Sequence, residues 1–412
     1  MVKTSRIFIV IFIFFGVIQC SKKNPLSSEE EFLSKLTSLD KSVVEADANF
    51  GLKLFKAINE QEKDKNLFIS PLSISMALGM TYNGAHSTTQ EAMQKTLELN
   101  GLSIQEVNES YKRLIELLTG LDSKVNFKIA NSIWYRQDFI FEKEFLDLCK
   151  SYFSAEVCGL DFNDPNARNI INNWVNLNTN GKIKEIIDVI DPYSAMFLIN
   201  AIYFKGIWKY EFDKNKTKDD LFILQNGSNV KCKMMVQEGD FQYFANSDIQ
   251  AVDLPYGNGN FRMAIFLPLP EKNIDQLISE FNQENWNQWM KNFTKRKGNI
   301  QLPKFKLEYE IKLNDVLKSL GMKIAFDPEN ADFTKMYKSL QRLYIHEVKH
   351  KTFVDVNEEG TEASAVTSVE MRVTSIGPEI FIMRVDHPFI FVIHEDLSNT
   401  ILFIGKIIEP KI

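Results

Sequence analysis

Two periods alternate along this chain. From Val43 to Asn59 the apolar positions Val44, Phe50, Leu52, Leu54, Phe55 and Ile58 recur at helical spacing. After Asn66, Ser70 can cap a helix and Pro71 suits its first turn. The residues that follow, to Met80, are apolar on most faces, which predicts a buried helix. Helical spacing returns over Lys143–Phe153, over Ala167–Leu177 (stopped by Asn178-Thr179-Asn180-Gly181), and over Leu313–Met322, closing at Gly321. Alternation with a period of two marks Val125–Tyr135, Ala155–Phe162 and Ile300–Phe305 as strands. Ala251–Tyr256 and Met263–Pro268 flank the turn Gly257-Asn258-Gly259-Asn260. Met196–Phe204 is too apolar for an edge and predicts a central strand buried on both faces. Helices fall mostly in the first half and strands in the second, without an internal repeat. That order implies α+β architecture with a large mixed or antiparallel sheet.

One stretch alternates yet is bounded by loop signals. In Thr361–Thr374 the residues Thr361, Ala363, Ala365, Thr367, Val369, Met371 and Val373 share one side, small and then apolar. Glu362, Ser364, Val366, Ser368, Glu370, Arg372 and Thr374 share the other. Asn357-Glu358-Glu359-Gly360 precedes it and Ser375-Ile376-Gly377-Pro378 follows. A segment of this kind can be a loop in one state and a strand in another.

Residues Glu358 to Thr367, EEGTEASAVT, resemble the reactive-loop hinge of the serpins, a family of serine-protease inhibitors. Asp386-His387-Pro388-Phe389-Ile390-Phe391 and Leu402 to Pro410 resemble that family's C-terminal signature. The resemblance covers about Val43 to Pro410. It implies a serpin fold over residues 43–412, with a large central sheet, further sheets, about eight to nine helices and an exposed loop. It implies a hinge at Glu358, Gly360, Thr361, Glu362, Ala363, Ser364, Ala365 and Thr367. It further implies a shutter and breach at Asn66, Ser70, Ser73, Asn200, Trp208 and His350, with Lys205, Gly206 and Phe212 nearby. Small hinge residues and no Pro before Pro378 leave every backbone N–H of the insert able to join a ladder, as in an inhibitory member; the alternatives are a non-inhibitory binding or carrier member, or an inhibitor of a trypsin-like or cysteine protease through Arg372. The family's count from Gly360 puts the scissile bond at Thr374–Ser375, suited to an elastase-like or subtilisin-like protease. The alternative is Arg372–Val373, suited to a trypsin-like one. The expected partner is a target protease and the expected state a monomer that is not itself an enzyme.

The chain has 412 residues and a net charge of −6, which gives no case for nucleic acid. Lys112-Arg113 and Lys295-Arg296-Lys297 read as solvated faces. Cys20, Cys149, Cys158 and Cys232 are too sparse for a disulfide scaffold, and the last three read as buried thiols. Residues 1–20 read as an export signal, with Lys3 and Arg6 before an apolar run from Ile7 to Ile18. Val17-Ile18-Gln19-Cys20 is near a lipobox, so two fates stay open: a lipid on Cys20 at the cell envelope, or release as a secreted protein. Residues 21–42 read as a polar tether.

Competing chemistries fare poorly. His346-Glu347-Val348-Lys349-His350 matches the zinc-protease pattern, but its flanks favour strand. There, positions four apart lie roughly 13 Å apart, too far for two ligands of one ion. No Gly-x-Ser-x-Gly elbow or phosphate-binding glycine loop occurs, and no metal or cofactor is expected. Asn108, Asn215, Asn226 and Asn292 head glycosylation sequons.

Overall fold

The computed structural model describes residues 36–361 and 380–412. The leader, Cys20, residues 21–35 of the tether, and the loop residues 362–379 lie outside the described residues. The helices are α1 (Ser38–Gln61), α2 (Pro71–Gly84), α3 (Ser87–Thr96), α4 (Ile104–Leu118), α5 (Lys143–Phe153), α6 (Ala167–Asn178), α7 (Ile274–Glu280), α8 (Gln283–Asn292) and α9 (Asn314–Leu317). The first strands are β1 (Leu67–Ile69), β2 (Val125–Arg136), β3 (Glu156–Leu160), β4 (Met196–Ile207), β5 (Lys218–Ile223), β6 (Asn229–Ala245), β7 (Ile249–Tyr256) and β8 (Phe261–Pro268). The rest are β9 (Thr294–Pro303), β10 (Phe305–Lys312), β11 (Lys349–Asn357), β12 (Gly360–Thr361), β13 (Phe381–Arg384), β14 (Phe389–Glu395) and β15 (Ile401–Ile407).

Among the described residues the strands form two sheets. One runs β10-β11-β12-β4-β2-β3; the other runs β1-β15-β14-β8-β7-β6-β9-β13, with β5 also on β6. Both are mixed, because β2–β3 and β9–β13 are parallel and the other pairs antiparallel. Their inner faces meet through aromatic rings: Phe204 of β4 against Phe403 of β15, and Phe305 of β10 against Phe391 of β14. The α+β expectation holds.

Local chemistry explains where the elements differ from the expected ones. α1 starts at Ser38, not Val43, so the tether cannot run to residue 42. Thr37 accepts the Asp40 N–H at 3.1 Å, and the Asp40 carboxylate accepts the Thr37 N–H at 2.8 Å, a capping box. Arg113 of α4 grips the same carboxylate at 2.9 Å. β4 is central, but its burial alternates, because α6 covers only part of its outer face. Ile300–Phe305 is not one strand: the chain breaks at Lys304 and passes from one sheet to the other. Leu313–Met322 is a short α-helix followed by a wider turn, with Gly321 at φ 121°. Helix α2 is almost wholly buried between the sheets. On the outer face of the six-stranded sheet, Trp134, Ile171, Val175, Ile183, Ile186 and Ile199 make a second, smaller core under α6.

Candidate functional site

Strands β4 and β11 flank β12 in the strand order, and among the described residues no ladder joins them directly. The two residues of β12 stand between them. Gly360 lies opposite Ile207 on one flank and Asn357 on the other; Thr361 lies opposite Gly206 and Val356. Gly360 has φ 147°, and a Cβ there would come within 2.1 Å of the Gly206 carbonyl oxygen. Only glycine suits both the conformation and the space.

Side chains clamp this wedge from above. The Trp208 N–H donates to the Glu359 carbonyl at 2.8 Å, the Phe212 N–H to the Glu358 carbonyl at 2.9 Å, and the Trp208 indole to the Asn357 carbonyl at 2.9 Å. Trp208 stacks on Tyr256 at 4.3 Å, and the Tyr256 and Thr361 hydroxyls share a hydrogen bond of 2.7 Å. Lys304 and Thr217 each reach the Glu358 carboxylate at 2.8 Å, and Lys214 pairs with Glu359. Burial alone would raise the Glu358 carboxyl, but the Lys304 ammonium and the hydrogen bonds outweigh it and hold it below the usual range.

Lower in the sheet, the first turn of α2 touches both flanks. The Ser70 N–H donates to His350 Nε2 of β11 at 3.0 Å, while the Ser73 hydroxyl donates to Asn200 of β4. The Ser70 hydroxyl donates to the Leu402 carbonyl at 2.7 Å and accepts the Ser73 N–H at 3.3 Å. Asn200 donates to Asn131 at 2.7 Å, and Asn131 to the Phe153 carbonyl at 2.7 Å. The Thr352 hydroxyl of β11 donates to the Phe68 carbonyl. His350 is fully enclosed, and burial pushes its imidazole down to about 3, so it is a neutral acceptor.

Ser70, Ser73, Asn200 and His350 thus gather in one network, and Trp208, Glu358, Gly360 and Thr361 in another. Asn66 joins neither. It ties the C-terminal segment, accepting the Ile408 N–H at 2.8 Å and donating to the Glu409 carbonyl at 2.7 Å. Of the other hinge residues, Glu362, Ala363, Ser364, Ala365 and Thr367 lie outside the described residues, as do Arg372, Val373, Thr374 and Ser375. His346 is exposed ahead of β11 while His350 is buried within it, so the two do not share a helix face. Cys149 and Cys232 are buried thiols, whereas Cys158 is only half-buried. Asn108 is a buried partner of Asn83, with reciprocal amide bonds of 2.7 and 2.8 Å, so its sequon is closed to a glycan in the folded protein. Sequence reading missed Lys304, Thr217 and Tyr256. The break in alternation at Lys304 was the one available signal.

Comparison with known proteins agrees with this geometry. Residues 45–410 match the model of the family Serpin (serine protease inhibitor), and the chain belongs to that family. It is 35% identical to the leukocyte elastase inhibitor of Xenopus laevis over 88% of this chain and 98% of that protein. Among solved structures, the thermophilic serpin tengpin in its native state is 35% identical with a TM-score of 0.82, covering 89% of this chain and 94% of that one. Human thyroxine-binding globulin complexed with thyroxine is 27% identical with a TM-score of 0.82, covering 91% of this chain and 100% of that one. The family therefore spans inhibitors and carriers, and its members are in general not catalysts.

Proposed function

We propose that this chain inhibits serine endopeptidases as a suicide substrate. The wedge of Gly360 and Thr361 between β4 and β11 carries this reading: a two-residue strand already occupies the top of a seam whose flanks do not pair directly among the described residues. A protease takes the loop as substrate and its serine forms an acyl-enzyme, at Thr374–Ser375 or, second, at Arg372–Val373. The severed segment then extends β12 down the seam. Some 13 residues at roughly 3.3 Å each make a strand of about 43 Å, which carries the acylated protease far from its docking point and distorts its catalytic machinery. The energy comes from a native state held by a kinetic barrier.

Likeness to a leukocyte elastase inhibitor supports an elastase-like target. Lys3, Arg6 and the apolar run after them support export, with Cys20 as a lipid site if the protein stays at the envelope. The test is incubation with elastase, subtilisin and trypsin. An SDS-stable complex, with the cut mapped by mass spectrometry to 374–375, is the expected result. Clean turnover of the loop without an adduct defeats inhibition and leaves a carrier role.

A further inference from the structure

The chain returning from the loop rejoins the body through β13, a four-residue edge strand hydrogen-bonded only to β9 among the described residues. Just beyond it, three bonds fasten the return. The Val385 N–H donates to the Gln301 carbonyl at 2.8 Å, the Ile223 N–H to the Asp386 carbonyl at 2.7 Å, and Arg384 to the Asp386 carboxylate at 2.8 Å. His387 comes next. Its Nδ1 lies 2.9 Å from Asp386 Oδ1 and its Nε2 lies 2.8 Å from the Pro268 carbonyl at the end of β8.

Both neighbours of the ring accept. A neutral imidazole has one N–H and can satisfy one of them; an imidazolium satisfies both. Asp386 cannot easily supply the second proton: burial alone would raise its carboxyl, but His387 and then Arg384, which holds its other oxygen, outweigh that and keep it below the usual range. We propose that His387 is a positioning residue for the loop's returning limb: its imidazolium bridges Asp386 to β8, and loss of the proton releases one side of that bridge and loosens β13. This rests on the inhibitory reading for its purpose, since a loosened return limb would alter how the bait is presented, but not for its chemistry.

The charged surroundings favour the cation. On β13, Arg384 spans Asp386 and Asp220 of β5, at 2.8 Å each. On β5, Asp219 is paired with Lys233 of β6 at 2.8 Å. On β6, the Cys232 thiol is pushed up to about 11, chiefly by burial, so it stays neutral. From β8 the Pro268 carbonyl faces the ring at 2.8 Å. Burial alone would push His387 down, but the Asp386 carboxylate and the carbonyl outweigh it and place it above the ordinary 6.5.

The test uses the whole protein and no protease. Histidine-labelled carbon NMR across pH 5.5 to 9.5, with His387→Gln to assign the signal, should show His387 titrating above 6.5. Hydrogen exchange over residues 380–388, corrected for intrinsic rates, should lose roughly tenfold protection between pH 6 and pH 9, the scale of one charge-assisted hydrogen bond. His387→Arg, which keeps the charge, should remove that pH dependence, and His387→Gln should be poorly protected at both pH values. A His387 midpoint at or below 6.5, or equal protection at both pH values in the wild type, overturns the proposal. Should His387→Gln not fold, the wild-type titration and the arginine variant still decide it. A protein that passes these tests and fails to trap proteases refutes the inhibitory reading alone.

Discussion

The two ends of the β4–β11 seam are held by opposite chemistry. At the top, carboxylates of Glu358 and Glu359 meet Lys304 and Lys214, and one indole and two main-chain amide donors grip main-chain carbonyls. Lower down, hydroxyls, amides and one neutral imidazole do the work, with no ion pair among Ser70, Ser73, Asn131, Asn200 and His350. Ion pairs near solvent can part and re-form at little cost. A largely buried neutral network sits in a low dielectric that strengthens each bond and makes any unpaired group costly, so it favours opening as a unit. The top is therefore suited to yield first, and the lower part to set how far the opening runs.

The largest test of this contrast is acid. His350 falls to about 3 in the folded protein against 6.5 unfolded, so the unfolded chain takes up the proton first. Its part in stability is complete above about pH 6.5 and erodes as pH drops, by up to about 5 kcal/mol near pH 3. Asp47 beneath α2 acts the other way: burial raises its carboxyl to about 7, so its part in stability declines as pH climbs from about 4 to 7. The difference between wild type and His350→Gln, followed by denaturant unfolding at several pH values, isolates the histidine. A gap that stays flat from pH 7 to 4 would remove the neutral imidazole from the network's function.

Next in size is Gly360→Val. It meets both a positive φ and the Gly206 carbonyl, and should cost the hinge about 3 kcal/mol or more. On the proposed inhibitory function it should also favour turnover over trapping, seen as a rise in loop molecules cleaved per protease trapped. Smallest is Lys304→Met. Lys304 is partly reached by water but Glu358 is buried, so losing the pair should cost about 1–2 kcal/mol, with Thr217 still bonded to the carboxylate. It should speed spontaneous opening of the seam's top, measurable as faster exchange at Trp208 and Phe212 amides, while amides around Ser70 stay protected. Equal acceleration at both ends would mean that the seam has no division of labour.

Much of this frame is legible along the chain. Lys143–Phe153 is a helix with the expected ends, and Val125–Tyr135 a strand one residue short of the observed one. Those elements have one clean face, so periodicity reveals them. Strand β6 escaped because it runs for 17 residues past several partners and its burial pattern changes phase on the way. The family resemblance singles out Ser70, Ser73, Asn200 and His350, and the structure brings them together. The resemblance singles out Asn66 as well, and its amide ties down the C-terminal segment. The Lys304–Glu358–Thr217 clamp joins residues far apart in sequence, and no local rule connects them.

The small core under α6 has a mechanical corollary. Its residues come from β2, β4, α6 and the segment after it, so this lobe belongs to one half of the six-stranded sheet. Across to the other half it reaches through polar handholds, Asp188 to Lys349 and Lys182 over the Phe353 ring at 4.7 Å. The lobe can travel as luggage with its own half, so parting the sheet need not tear an oily interface.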